Sequence, residues 1–175
     1  MRFLYCLVIA SVTSGFVFAA DRVETFGDWQ LVCQSSASEK AEEEATDTKS
    51  VKGRQDCRLQ QAQAVTKDKK VVFLFNVVLK NKKPVAVISV PLGVYLPAGM
   101  TLKVDKGRKQ VAAFETCNLS GCHGGFFLSR DLLRRLKRGN VLSIGLKDTN
   151  RKDIPISVSL KGVTAGIAAL VKTAA

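Results

Sequence analysis

The chain is poor in the residues that most catalytic chemistry needs. Its 175 residues hold one histidine, His123, and one tryptophan, with aromatics at 7%. A single imidazole confines any Ser-His-Asp triad to His123 and leaves at most one histidine ligand for a metal. No G-x-S-x-G elbow, H-E-x-x-H helix or G-x-x-x-x-G-K loop occurs. Six of the fifteen acids cluster in one polar stretch, 35–56. These absences point away from an enzyme, and no cofactor and no metal are expected. Long apolar runs are also missing after the first twenty residues. The C-terminal GVTAGIAALVKTAA is too short to span a bilayer and carries Lys172.

The one long apolar run stands at the start. Residues 3–18 follow Arg2 and are mostly apolar, and Ala19 and Ala20 precede Asp21 and Arg22. A positive end, a short apolar stretch and small residues before a charged segment read as a signal peptide over 1–20. Residues 21–175 then suit a single domain large enough to bury a core. Basic residues outnumber acidic ones by 27 to 15, a net charge of +12, of which the leader carries only Arg2. An exported basic protein meets anionic membranes, glycans or nucleic acid. The cations are not interleaved with aromatics, so nucleic acid is not expected.

Cys6 leaves with the leader, and Cys33, Cys57, Cys117 and Cys122 remain. An even count in an exported chain argues for disulfides, with three connectivities open. Nearest-neighbour pairing, Cys33 with Cys57 and Cys117 with Cys122, is the expected one. In the chain-entropy model, loops of those lengths contribute about 3.5 and about 2 kcal/mol. Cys117, Cys122 and His123 invite a zinc or redox reading. The C-x4-C spacing is loose for zinc, and thiol oxidoreductases use C-x-x-C at a helix start. A stapled turn is the stronger reading, with His123 an ordinary loop or strand-edge residue.

Strand patterns fill most of the rest. DWQLVCQ alternates Trp29, Leu31 and Cys33 with polar neighbours, and CRLQQAQ resumes through Cys57, Leu59 and Gln61. Between them the segment 35–56 is polar and charged, and reads as a mobile acidic insertion. Runs at 71–79 and 85–90 are apolar and β-branched, joined by a KNKKP turn. Met100, Leu102 and Val104 alternate, followed by a turn at Lys106-Gly107 and a strand onward through Val111 and Phe114. HGGFFLS, NVLSIGLKD and IPISVSL read as further strands, the last alternating Ile154, Ile156, Val158 and Leu160. SRDLLRRLKRGN is a helix, with Ser129 as cap, Asp131 in the first turn and cations in the last. A terminal helix carries Val163, Ile167, Leu170 and Val171 on one face. Many short strands with two short helices indicate an antiparallel β-sandwich.

Four basic clusters punctuate this pattern: KDKK (67–70), KNKK (80–83), KVDKGRK (103–109) and RRLKR (134–138). Lysines at strand ends also serve solubility and edge protection. The helix cluster is the densest, and Arg134, Arg135, Lys137 and Arg138 are the candidate binding residues.

Taken in order, DWQLVC, CRLQQ, VPLGVYLPAGMTLKVD, FETCNLSGCHGGFFLS, LLRRLKRGN and SLKGVTAGIAALVK resemble the invasion-associated locus B (IalB) family of exported alphaproteobacterial proteins. The likeness runs over residues 22–172, and the P-L-G-V segment (91–94) and the C-x4-C are its most specific marks. It implies an immunoglobulin-like antiparallel β-sandwich with two short helices, secretory export and the two disulfides. In pathogenic members it implies attachment to and invasion of host cells, notably erythrocytes. It brings no catalytic residues. His123-Gly124-Gly125 after the cysteine, Val163 in place of an aromatic, and the longer acidic insertion depart from the family's pattern. The expectation is therefore an exported protein that acts by binding a host-cell surface or an anionic glycan or lipid. It would reside in the periplasm, at the outer-membrane surface or outside the cell, with outer-membrane association a further expectation. A periplasmic envelope-maintenance role without a host partner is the alternative.

Overall fold

Strands form where branched and aromatic side chains alternate with polar ones. The computed structural model describes residues 22–35, 55–64 and 71–173. Five strands follow one another as a meander: β1 (Arg22–Phe26), β2 (Trp29–Ser35), β3 (Gln55–Ala64), β4 (Val71–Lys80) and β5 (Lys83–Val90). After a 3-10 turn at Leu96–Ala98 come β6 (Met100–Val104), β7 (Gln110–Ala112), β8 (Thr116–Asn118) and β9 (Gly121–Phe127). Helix α1 (Arg130–Arg138), β10 (Val141–Lys147), β11 (Asp153–Ser159) and helix α2 (Val163–Lys172) complete the chain. One sheet has the order β1-β2-β3-β4-β5-β9-β8 and the other β11-β10-β6-β7. Every pairing of these strands is antiparallel. The expected β-sandwich with two short helices is the architecture found.

The expected leader (1–20), the KDKK cluster (67–70) and all but the ends of the acidic insertion lie outside the described residues. The ends themselves, Ser35, Gln55 and Asp56, belong to β2 and β3.

Period-two alternation sends one set of side chains from each sheet into a shared core. Trp29 and Leu31 of β2, Leu59 of β3, Phe73 and Phe75 of β4 and Ile88 of β5 join Met100, Leu102, Leu142 and Ile144 of the smaller sheet in one cluster. Burying each such side chain stabilises the fold by about 2 kcal/mol. Trp29 meets Phe75 edge-on, with ring centroids 5.5 Å apart. Gln61 follows Leu59 onto this inner face and is also buried. Its Nε2 donates to the carbonyls of Asp28 (2.9 Å) and Ser159 (3.1 Å), and its Oε1 accepts from Ser159 N (3.1 Å). Trp29 Nε1 donates to Ser159 O at 2.8 Å, and Gln63 Nε2 donates to Ser157 O. Side-chain amides of β3 thus stitch the large sheet to β11 of the small one. A buried amide left unpaired would cost about 1–3 kcal/mol.

Several expectations are corrected in detail. The β4–β5 connection is not a five-residue turn but two residues, Asn81 and Lys82, both at positive φ (52° and 60°). That left-handed pair matches the twist of the flanking strands, so pairing continues through Leu79 and Pro84 to Lys80 and Lys83. The strand expected through Val111 and Phe114 ends at Ala112, and Val111 points outward, 71% exposed. Val171 is 48% exposed, because it falls about a quarter-turn from the stripe Val163, Ile167 and Leu170. Gly166 completes that stripe: a Cβ there would sit 2.5 Å from Leu59 Cδ1. Ile154, near the start of β11, is also partly exposed.

Candidate cationic docking site

Local sequence makes α1 a stable platform. Ser129 Oγ accepts a hydrogen bond from Leu132 N (3.2 Å), and Asp131 stands in the positive first turn. Leu132 and Leu136 are buried, and Leu133 packs half-buried beside them. The far end is tied as well. Thr164 Oγ1 of α2 donates to Lys137 O (3.0 Å), and the Asp105 carboxylate accepts from Asn140 N and Val141 N at 3.1 and 3.0 Å.

With the leucines facing inward, helical spacing puts Arg130, Arg134 and Arg138 in one outward row about 12 Å long, with Lys137 beside it. All four are exposed. Arg130 lies outside the RRLKR run that pointed to the site. Its signal was the four-residue step to Arg134, which only a helical reading converts into adjacency.

Arg135, counted among the candidates, behaves differently. Its side chain is only 22% exposed, its Nη2 lies 2.9 Å from Asp131 Oδ2, and its Nη1 donates to Arg108 O at 3.4 Å. Its Nε is buried without a partner among the described residues. Arg134 Nη2 lies 2.8 Å from the other oxygen of Asp131. The Arg134 hydrogen bond, helped by the charges of both arginines, holds the Asp131 carboxyl below the usual carboxylate range. Two of the four expected cations therefore share one acid. Among the described residues no ion pair engages Arg130, Lys137 or Arg138.

The Arg135–Arg108 contact also brings a second cluster to the site. Lys106, Arg108 and Lys109, all exposed, form the β6–β7 turn against α1. The two clusters lie far apart in sequence, and nothing in either announces their contact.

The cysteines are bonded to each other as expected. Cys33 stands opposite Cys57 across β2–β3, and Cys117 opposite Cys122 across β8–β9, each with Cα atoms 4.0 Å apart. Their sulfurs are thus neither thiols nor free ligands. His123 is not in a loop but inside β9, between β5 and β8. Its Nδ1 lies 2.8 Å from Ser89 Oγ, and its Nε2 3.3 Å from Ser120 Oγ.

The sequence profile of the invasion associated locus B (IalB) protein family matches residues 29–171. The chain belongs to the IalB family. Its structure is similar to the crystal structure of invasion associated protein b from Bartonella henselae, with a TM-score of 0.68 at 20% identity. The match covers 86% of this chain and 95% of that one, and at such identity it speaks for the fold. No curated protein matches the chain by sequence. Two disulfides in an IalB domain suit an extracellular or periplasmic protein. No helix among the described residues is long and apolar enough to cross a membrane.

Proposed function

We propose that this IalB protein is an exported, adhesin-like binding protein that promotes host-cell attachment or invasion through the outward face of α1. The observation that carries this reading is the row Arg130, Arg134 and Arg138 with Lys137, held outward on a helix whose other side is locked into the core. A rigid cationic row attracts anionic groups over a range of about 8 Å at physiological ionic strength. Membership of a family named for invasion directs the reading to host cells. Arg135 supports the helix and its neighbouring turn rather than reaching outward.

Replacing Arg134, Lys137 and Arg138 together by glutamine tests the site. Attachment to erythrocytes is expected to fall at least about tenfold and to lose much of its salt dependence. The melting temperature should hardly change, since all three are exposed. Undiminished attachment by this variant would overturn the assignment. Protease treatment of intact producing cells tests the location: the protein should be lost while a periplasmic marker survives. Protection of both would favour envelope maintenance inside the periplasm.

A further inference from the structure

Three basic clusters that the chain sets far apart meet at one end of the sandwich, and α1 is the bridge between them. The β4–β5 turn adjoins the start of the helix. Leu128 N donates to Pro84 O at 3.0 Å, which continues the Phe127–Val85 register and sets Ser129, the cap of α1, beside Lys83. The β6–β7 turn adjoins the other end, where the Asp105 carboxylate accepts from Asn140 N and Val141 N and Arg108 O accepts from Arg135 Nη1. The helix row of about 12 Å therefore continues into a turn at either end. Lys80, Lys82 and Lys83 of the first turn are exposed, as are Lys106, Arg108 and Lys109 of the second.

Little in this band opposes its positive charge. It contains two acids, and both are engaged: Asp131 with Arg134 and Arg135, and Asp105 with the two backbone N–H groups. Among the described residues, none of 80–83, 105–109 and 130–138 is an exposed large hydrophobic. Val111, Phe127 and Val141, which flank these segments in sequence, belong to the outer faces of the two opposite sheets.

That chemistry narrows the choice of partner. A face that docks on a bilayer couples cations with apolar side chains that enter the acyl boundary, and the band has none. A second copy would bring the same positive charge. A nucleic acid would present bases as well, and the band has no aromatic residue on which to stack them. A lone phosphate would fill one position and leave both turns unused. Arginines held in a row suit a chain of repeated anions, since each guanidinium can grip one anionic group with two hydrogen bonds.

We infer that this band holds a linear sulfated glycan along α1, with the β4–β5 and β6–β7 turns gripping its two ends. The inference deepens the attachment proposed above by naming the partner, and rests on it for the place of that glycan on a host cell.

The exported chain is titrated calorimetrically with a heparin disaccharide and a heparin decasaccharide at physiological salt. The decasaccharide should bind at least about tenfold tighter, because only the longer chain reaches both turns. Lys82→Gln with Lys83→Gln, and separately Arg108→Gln with Lys109→Gln, should each weaken that binding about fivefold, as the loss of two exposed ion pairs would. Lys152→Gln with Lys172→Gln removes as much charge from exposed positions outside the band and should leave binding unchanged. All these side chains are exposed, so folding should survive, as melting curves would verify. Equal affinity for the two fragments, native binding by either turn variant, or an equal loss in the remote pair would overturn the inference. Tighter binding to phosphatidylglycerol vesicles or duplex DNA than to heparin would overturn it in favour of that partner. Cell attachment that survives enzymatic removal of sulfated glycans sinks this inference alone, whereas heparin binding of the expected kind without cell attachment sinks the proposed function alone.

Discussion

The two helices differ by one residue in length, nine in α1 and ten in α2, and are stabilised in opposite ways. Helix α2 has no side-chain cap, begins after a left-handed Gly162 and buries Val163, Gly166, Ile167 and Leu170 against the large sheet. Its stability comes from packing, as that of a short helix generally must. Helix α1 buries only Leu132 and Leu136 but has a serine cap, an acid at its start and cations at its end. Local electrostatics substitute for burial, and that leaves its outer face available for charge. The fold rests on α2 and displays α1.

Three substitutions would sharpen or break this contrast. Leu170→Ala in α2 should cost about 3 kcal/mol in chemical denaturation, while attachment per folded molecule stays unchanged. A cost near zero would mean that α2 does not hold the sheet. Gly166→Val should cost about 2 kcal/mol, because Leu59 must yield to the added side chain. A neutral result would show that Leu59 has another rotamer to adopt. The smallest effect belongs to α1, at Asp131→Asn. The folded Asp131 carboxyl titrates below its ordinary value, so its contribution is complete above the usual carboxylate range and vanishes as pH falls through the folded value. The stability gap between the native protein and this variant should therefore be small at neutral pH and close in acid. A gap that widened in acid would contradict the pairing with Arg134 and Arg135.

The same contrast explains what could be read from sequence. Alternation in DWQLVC and the leucine spacing of α1 are local signals, and both appear in the fold as expected. Strand β1, RVETF, carries no such signal, since its residues are largely exposed and show no apolar period. Gln61 shows the limit more sharply. Its alternating position marks the inner face, but its role as the clamp on Ser159 depends on a residue almost a hundred positions away. At the site, composition finds the arginines of α1 but not that Arg135 is held half-buried, because only one of its anchors, Asp131, is local and the other, Arg108 O, lies across the β6–β7 turn.

The staple between Cys33 and Cys57 joins directly opposed residues, so the alignment of β2 with β3 is covalent. In an ordinary hairpin the connection sets that alignment, and a slip of one residue would turn the apolar side chains to solvent. Residues 36–54 are relieved of this duty. The register of β2 with β3 is therefore carried by a covalent bond within the sheet itself.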